Sequence, residues 1–339
     1  MDIGVLMVPE PGRTAQTARM IEDLGLDHVV FADSQNLAPE VWGQLMLAAS
    51  ATSRVRLGPG VTNSVTRDPA VTASAALALQ AESHGRAVLG IGRGDSSVQR
   101  IGKREDSVAG FEQYLVRLQT YLRGETVDRE GFGSRIEWLD RVKVAKVPVE
   151  VAATGRKVIE VAARHADAIC FAVGADPNHL ADVLAHAKAT VRAAGRAPDS
   201  LRYGAFVNCV VHDDVQVARD AVRGSVATFA RFSSFNGSRI GGLPGPLQGA
   251  ARFLRAHYDM RQHTRTGVQH ATGLGDEFVD WFGIAGPVVN AVSRFRQIEA
   301  LGLDFCTVIP GSTGMPREIA AASLMSLASA VLPALRAPA

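Results

Sequence analysis

Short runs of apolar, largely β-branched residues return eight times along the chain. Each is followed by a longer stretch with helical spacing, and this alternation narrows the possible folds more than any other feature. The runs are Ile3–Val8, His28–Asp33, Val55–Thr62, Ala87–Gly92, Val147–Ala153, Ala168–Val173, Leu201–Val211 and Phe305–Ile309. Helices are predicted over Thr14–Leu24, Val41–Thr52, Ala70–Ser83, Val108–Leu122, Lys157–His165, Asn178–Ala194, Val215–Phe229 and Val288–Leu301. Strands that are apolar throughout, rather than alternating, belong to parallel sheets covered on both faces. The doubly wound sheet and the (β/α)8 TIM barrel both use such βα units. A count of eight, with no break in composition across 339 residues, points to the α/β barrel as one domain over 1–339. Two intervals exceed what a βα unit needs: Gly124–Lys146, and Arg231–Gly286 between strand seven and strand eight. Loops beyond about 12–15 residues are usually functional. The second interval carries a helix-like stretch from Leu247 to His263 and hinge-like residues at Gly241–Pro246, so 231–286 is expected to be an insertion that closes over the barrel mouth.

Composition removes several classes. The chain is 47% hydrophobic and 21% charged, which excludes disorder and fibrous repeats. Thirty-six basic against 34 acidic residues, with no basic run, argue against a nucleic-acid partner. Cys170, Cys209 and Cys306 each lie in an apolar run, as buried inert thiols do. Met1-Asp2-Ile3-Gly4 lacks the charged and apolar regions of a signal peptide. The longest apolar stretch, Ile319–Leu332, is too short for a bilayer and carries Ser323, Ser326 and Ser329. A cytoplasmic protein without membrane association is the expectation. His257, His263 and His270 match no metal-ligand spacing, so no metal is expected. There is likewise no serine-hydrolase elbow and no Walker A loop.

Barrel enzymes place their chemistry at the C-terminal ends of the strands. After strand four come Gly92, Arg93, Gly94 and Asp95, spaced G-x-G-x-G with no prompt helix, which does not fit a dinucleotide fingerprint. The glycines either relieve a turn or let backbone approach a flat or phosphorylated ligand, with Arg93 and Asp95 at the mouth. After strand five, Ala153, Thr154, Gly155 and Arg156 lead directly into a helix. Small residues there expose backbone N–H groups to phosphate, although Thr154 is equally suited to be a helix cap. Ala172, Val173 and Gly174 after strand six are similarly small. Strand three ends in Gly58-Pro59-Gly60-Val61-Thr62-Asn63, which implies a bulge or unusual backbone. Asp33, closing strand two, is either a mouth carboxylate or a surface cap.

These segments together resemble the bacterial-luciferase-like oxidoreductases, and within them the branch that uses the deazaflavin coenzyme F-420. The resemblance rests on Gly58–Asn63 with Thr66-Arg67-Asp68-Pro69-Ala70, on Leu89-Gly90-Ile91-Gly92-Arg93-Gly94-Asp95, on Val147–Gly155 and on Phe282–Pro287. It covers nearly the whole chain. It implies a flavin-type ring at the strand ends, a non-proline cis peptide at Gly60–Val61, and hydride transfer to a small-molecule substrate. It further implies cofactor contacts by Asp33, Gly60, Val61, Thr62, Asn63, Gly92, Arg93, Asp95, Ala153, Thr154, Gly155, Arg156, Ala172, Val173 and Gly174. Bulky substitution of Gly60 is then expected to weaken cofactor binding more than stability. Where the sugar-phosphate dehydrogenases of the branch carry a catalytic His, this chain has Ser34, and in place of their phosphate-binding Lys it has Ala175 and Asp176. Glucose-6-phosphate is therefore rejected as a substrate. FMN is the alternative cofactor, with a monooxygenase or reductase reaction, and a non-catalytic barrel is the alternative from a different class. Relatives of this kind pair through their second and third helices, so a homodimer through Val41–Ala51 is expected.

Overall fold

The computed structural model describes residues 1–233 and 245–337. Its parallel strands are β1 (Asp2–Met7), β2 (His28–Phe31), β3 (Arg56–Pro59), β4 (Thr62–Asn63), β5 (Leu89–Gly92), β8 (Val149–Ala153), β9 (Ala168–Phe171), β10 (Arg202–Val211), β11 (Ile284–Gly286) and β12 (Phe305–Ile309). A separate antiparallel hairpin is formed by β6 (Val127–Arg129) and β7 (Phe132–Ser134). The parallel strands follow the order β3-β2-β1-β12-β10-β9-β8-β5-β4, with β11 beside β10, and the fold is the α/β TIM barrel.

Helices begin where the local chemistry allows. The helix α1 covers Thr14–Asp23, α2 covers Val41–Ala51 and α3 covers Pro69–Glu82. At the start of α3 the Asp68 carboxylate accepts the Ala70 N–H, and Pro69 sits where its missing N–H costs nothing. A short α4 (Ser96–Gln99) is followed by α5 (Val108–Leu122), which Ser107 caps through the Gly110 N–H. Then come α6 (Arg156–His165), α7 (Pro177–Ala193) and α8 (Val215–Phe232), the last capped by Asp214 through the Gln216 and Val217 N–H groups. On α2 and α3, Leu47 and Val71 are 49% and 57% exposed.

Internal packing divides the chain into two compact units, one of Leu6–Ile169 and Ala187–Arg202, the other of Met1–Val5, Cys170–His186 and Tyr203–Ala339. The first unit holds β2 to β8, with all four residues of β2 and of β5 buried. It is riveted by Glu22, 3% exposed, whose carboxylate accepts the backbone N–H groups of Ser53, Arg54 and Val55 at 2.9, 2.5 and 2.9 Å. In the second unit β12 pairs with β1, Asp2 against Phe305 through Val5 against Val308, and with β10, Gly204 against Phe305 through Asn208 against Ile309. All three cysteines are buried, and burial pushes the Cys209 and Cys306 thiols up to about 12.

Several elements differ from the sequence reading. The predicted third strand breaks at Gly60–Val61 into β3 and β4. The interval 124–146 contains the β6–β7 hairpin, turned by Glu130 and Gly131 at φ 57° and 90°. The described part of the insertion contributes side chains to an apolar core. Its helix Gly245–His257 buries Leu247 and Leu254 in one cluster with Ala218, Val222 and Val226 of α8 and with Phe278, Val279 and Phe282. The hinge residues Gly241–Pro246 lie largely outside the described residues. The apolar C-terminal stretch is longer than expected: one helix runs Arg317–Arg336, 20 residues of which an 18-residue window has mean hydropathy 1.6, which by length and composition alone is enough to cross a membrane. It has a wide turn at Leu327–Val331, just before Pro333, which has no N–H to return to the preceding turn.

Candidate active site

Within the first unit, the residues predicted from the ends of strands two to five converge. The register sets Thr62 beside Ile91 and Asn63 beside Gly92, while Ile91 pairs with Val151, so Gly92 comes next to Ala152. Among the described residues, a Cβ built on Gly92 would meet only Val61 at 3.5 Å and Ala152 at 4.0 Å. Val61, Gly92 and Ala152 therefore form a wall of small side chains. The Gly60–Val61 peptide bond at its edge is cis, as the resemblance implies.

The glycines here have two separate jobs. A Cβ on Gly58 would lie 1.9 Å from the Val88 carbonyl oxygen, and one on Gly90 2.3 Å from that of Pro59. These positions are glycine because neighbouring strands approach too closely for anything larger. Gly60 belongs with them, since its Cβ would fall 2.4 Å from Val30 Cγ2. This corrects the expectation for Gly60: substitution collides first with the buried face of β2, so it acts on packing before it acts on any ligand. Gly155 is the opposite case, with no atom of the described residues within 4 Å of a Cβ placed on it.

Asp33 is buried, and its partners are protein. Its Oδ2 accepts the Thr62 hydroxyl at 2.7 Å and Arg67 Nη1 at 2.5 Å, and Arg67 Nη2 lies 3.4 Å from Oδ1. The same guanidinium reaches Glu40 at 3.0 Å. Burial works against the Arg67 charge, but Asp33 and Glu40 outweigh it and raise its pKa. Asp33 and Thr62 thus hold the start of β4 in place, with Arg67 as the clamp. Arg67 stood in the quoted Thr66–Ala70 motif without a role, and only the pairing across 34 residues reveals one. Asn63 is occupied too: its Oδ1 accepts the Val65 and Thr66 N–H groups at 2.9 and 3.0 Å, and its Nδ2 donates to Ser97 Oγ at 3.3 Å.

Arg93 turns back on its own loop, donating from Nε to the Asp106 carbonyl at 2.7 Å, and the Asp106 carboxylate accepts Ser64 Oγ at 2.8 Å. Asp95 stands at the N-cap of α4 without a side-chain cap bond. The helical turn beginning at Ser96 corrects the reading that no helix follows promptly; four residues are too few to show periodicity. Gly94, at φ 91°, brings this turn against Asn63.

The start of α6 is the most open part. Gly155, not Thr154, is the N-cap, and no side chain caps the helix. Ala153 is buried, Thr154 and Gly155 are half-buried, and Arg156 and Lys157 are exposed. The Val158 and Ile159 N–H groups return to the Gly155 carbonyl, which leaves those of the first turn directed outward, beside two cations and no acid.

Ala172, Val173 and Gly174 belong to the second unit and are buried inside it. The Ala172 carbonyl accepts Ser233 Oγ at 2.8 Å, and a Cβ on Gly174 would lie 2.9 Å from the Phe282 ring. Of the three histidines of the insertion, His263 Nδ1 bonds Tyr258 OH at 2.6 Å, His257 stacks on Phe253 and His270 is buried against Tyr258. Burial lowers the His270 pKa, with the nearby Asp259 opposing it.

Comparison with known proteins places this arrangement. The 5,10-methylenetetrahydromethanopterin reductase of Archaeoglobus fulgidus is 27% identical over 327 residues, 92% of this chain and 93% of that protein. A phthiodiolone/phenolphthiodiolone dimycocerosates ketoreductase of Mycobacterium tuberculosis is 31% identical over 203 residues, 54% of this chain and 51% of the relative. Among solved structures, the F420-dependent tetrahydromethanopterin reductase of Methanopyrus kandleri has a TM-score of 0.77 at 21% identity, covering 99% of both chains. The oxygenating constituent of a Pseudomonas putida diketocamphane monooxygenase, in complex with FMN, has a TM-score of 0.68 at 16% identity, covering 100% of this chain and 99% of that one. The luciferase-like monooxygenase family model matches residues 4–305, and the chain is an oxidoreductase belonging to that luciferase-like family.

Proposed function

We propose that this enzyme uses coenzyme F-420 and transfers hydride between the deazaflavin and a small organic substrate. One observation carries the reading: a wall of small side chains, Val61, Gly92 and Ala152, in the same unit as the uncapped N-terminus of α6. A flat ring needs a face without projecting groups, and an anionic tail needs outward N–H groups with positive charge nearby. The residues therefore fit the group. Gly155, Arg156 and Lys157 would hold its anionic portion, Thr62 and Asn63 would bound the ring, and Arg67 would keep Asp33 and Thr62 fixed while it binds. The bound deazaflavin supplies a hydride donor or acceptor at its central ring carbon. The protein's part is orientation and exclusion of water. The F420-dependent tetrahydromethanopterin reductase and F420-dependent secondary alcohol dehydrogenase structures, each similar over 99% of the chain, support F-420 over FMN.

Parallel titrations with F-420 and FMN, followed by fluorescence quenching, test this. F-420 is expected to bind at least tenfold more tightly. Tight FMN binding with none of F-420 would reassign the enzyme to flavin chemistry. Binding of neither would leave a barrel that does no flavin-type redox reaction.

A further inference from the structure

The first unit carries a concavity at the opposite end of β8 from Thr154 and Gly155. It is a cleft of about 570 Å³, lined by Leu122, Arg123 and Gly124 at the end of α5, by Leu139, and by Val142–Lys146. That volume lies within the roughly 300–1,000 Å³ of small-molecule pockets. The lining leads directly into Val149, the first residue of β8, and five residues at about 3.3 Å each separate this end of the strand from the candidate active site.

The chemistry of the lining is one-sided. Three of its nine residues are cations, Arg123, Lys143 and Lys146, and none is acidic. Leu122, Leu139, Val142, Val144 and Ala145 supply an apolar floor and wall. Val142 is 43% exposed, an open apolar side chain between charged neighbours. The α5 terminus offers side chains rather than bare carbonyls, because the Gly124 and Glu125 N–H groups return to Tyr121 and Thr120 at 2.9 and 3.1 Å. Gly124 takes φ 73° to allow it. Lys146 is anchored on Asp167, whose carboxylate also accepts the Val149 N–H at 2.8 Å. Arg123 pairs with Glu125 and donates to Thr120 Oγ1 at 3.4 Å, but both charged groups are about half exposed and water screens such a surface pair. Arg123 can exchange this screened pair for a better anion, and Lys143 is exposed beside it on the cleft lining.

We propose that this cleft binds a small organic anion with an apolar body, its carboxylate or equivalent head between Arg123 and Lys143 and its body on Leu139 and Val142. The test uses the full chain saturated with F-420, and the chain alone if F-420 does not bind, so the result does not depend on the cofactor assignment. Calorimetric titration compares octanoate, octanol, octylammonium and inorganic phosphate. Octanoate should bind at least tenfold more tightly than each of the other three. Lys143→Glu and Val142→Asp, both at exposed positions where folding is not at stake, should each weaken octanoate at least tenfold. Equal affinities for octanoate and octanol, or for octanoate and phosphate, would overturn the proposal. So would octanoate binding that neither substitution changes, or that F-420 competes away.

Discussion

The carboxylate of Glu22 is the clearest single-residue case of placement deciding energetics. Burial alone would raise its pKa, but the N–H groups of Val55, Arg54 and Ser53, with the Arg54 charge, outweigh burial and lower it from 4.5 to about 2. A group depressed in the folded state contributes stability that is complete above its unfolded pKa. That contribution is lost as pH falls from about 4.5 through about 2. Glu22→Gln should cost about 2–3 kcal/mol at pH 7, and the difference from the parent chain should shrink towards pH 3. Urea unfolding at several pH values reads this directly; two curves that stay parallel from pH 7 to 3 would refute the assignment. At Gly155 the argument concerns ligand rather than fold. Gly155→Ala has room and should leave the melting temperature unchanged, whereas Gly155→Pro removes an N–H beside the first turn of α6 and should weaken F-420 at least tenfold. Unaltered affinity in folded Gly155→Pro would make the loop a plain helix start.

At the scale of elements, the helix Gly245–His257 and its neighbours behave as a structural part of the second unit. Leu254 is 1% exposed among Val226, Phe278 and Phe282, so Leu254→Ala should destabilise by about 2–4 kcal/mol in chemical denaturation. A loss below about 1 kcal/mol would mean that the helix detaches easily, as a gate must. The main strands and their helices were legible because most of the strands bury apolar runs, β2, β5, β9 and β12 throughout, and the α5 bounds, Val108–Leu122, match the helical spacing to the residue. The β6–β7 hairpin was not, because its strands are three residues each and carry charge at Asp128 and Arg129. In the candidate site the small residues of 153–155 and 60–63 were legible as punctuation after strands. What each does was not, because Asp33 meets Arg67, and Arg93 meets Asp106, through contacts that no local pattern encodes. Gly60 shows the limit well: the same letter serves a ligand face or a close strand crossing, and only Val30 at 2.4 Å distinguishes them.

For the molecule as a whole, the two units are not consecutive in the chain: one is made of two segments and the other of three. Neither corresponds to a contiguous fragment, so the eight βα repeats do not translate into eight separable modules. The pairing of Asp2 to Val5 with Phe305 to Val308 has a further consequence for the order of events during synthesis. A ribosome adds roughly 5–20 residues per second, so the partner of the first strand emerges on the order of 15–60 s after it. Through that interval one edge of β1 has no native partner from β12, and everything between Val5 and Phe305 must leave the exit tunnel before this ladder can close. Contacts of such sequence separation are the slow ones in folding. The newborn chain therefore carries β1 with β2 available for one edge and the other edge open, a period in which chaperone capture or misannealing competes with completion of the native pairing.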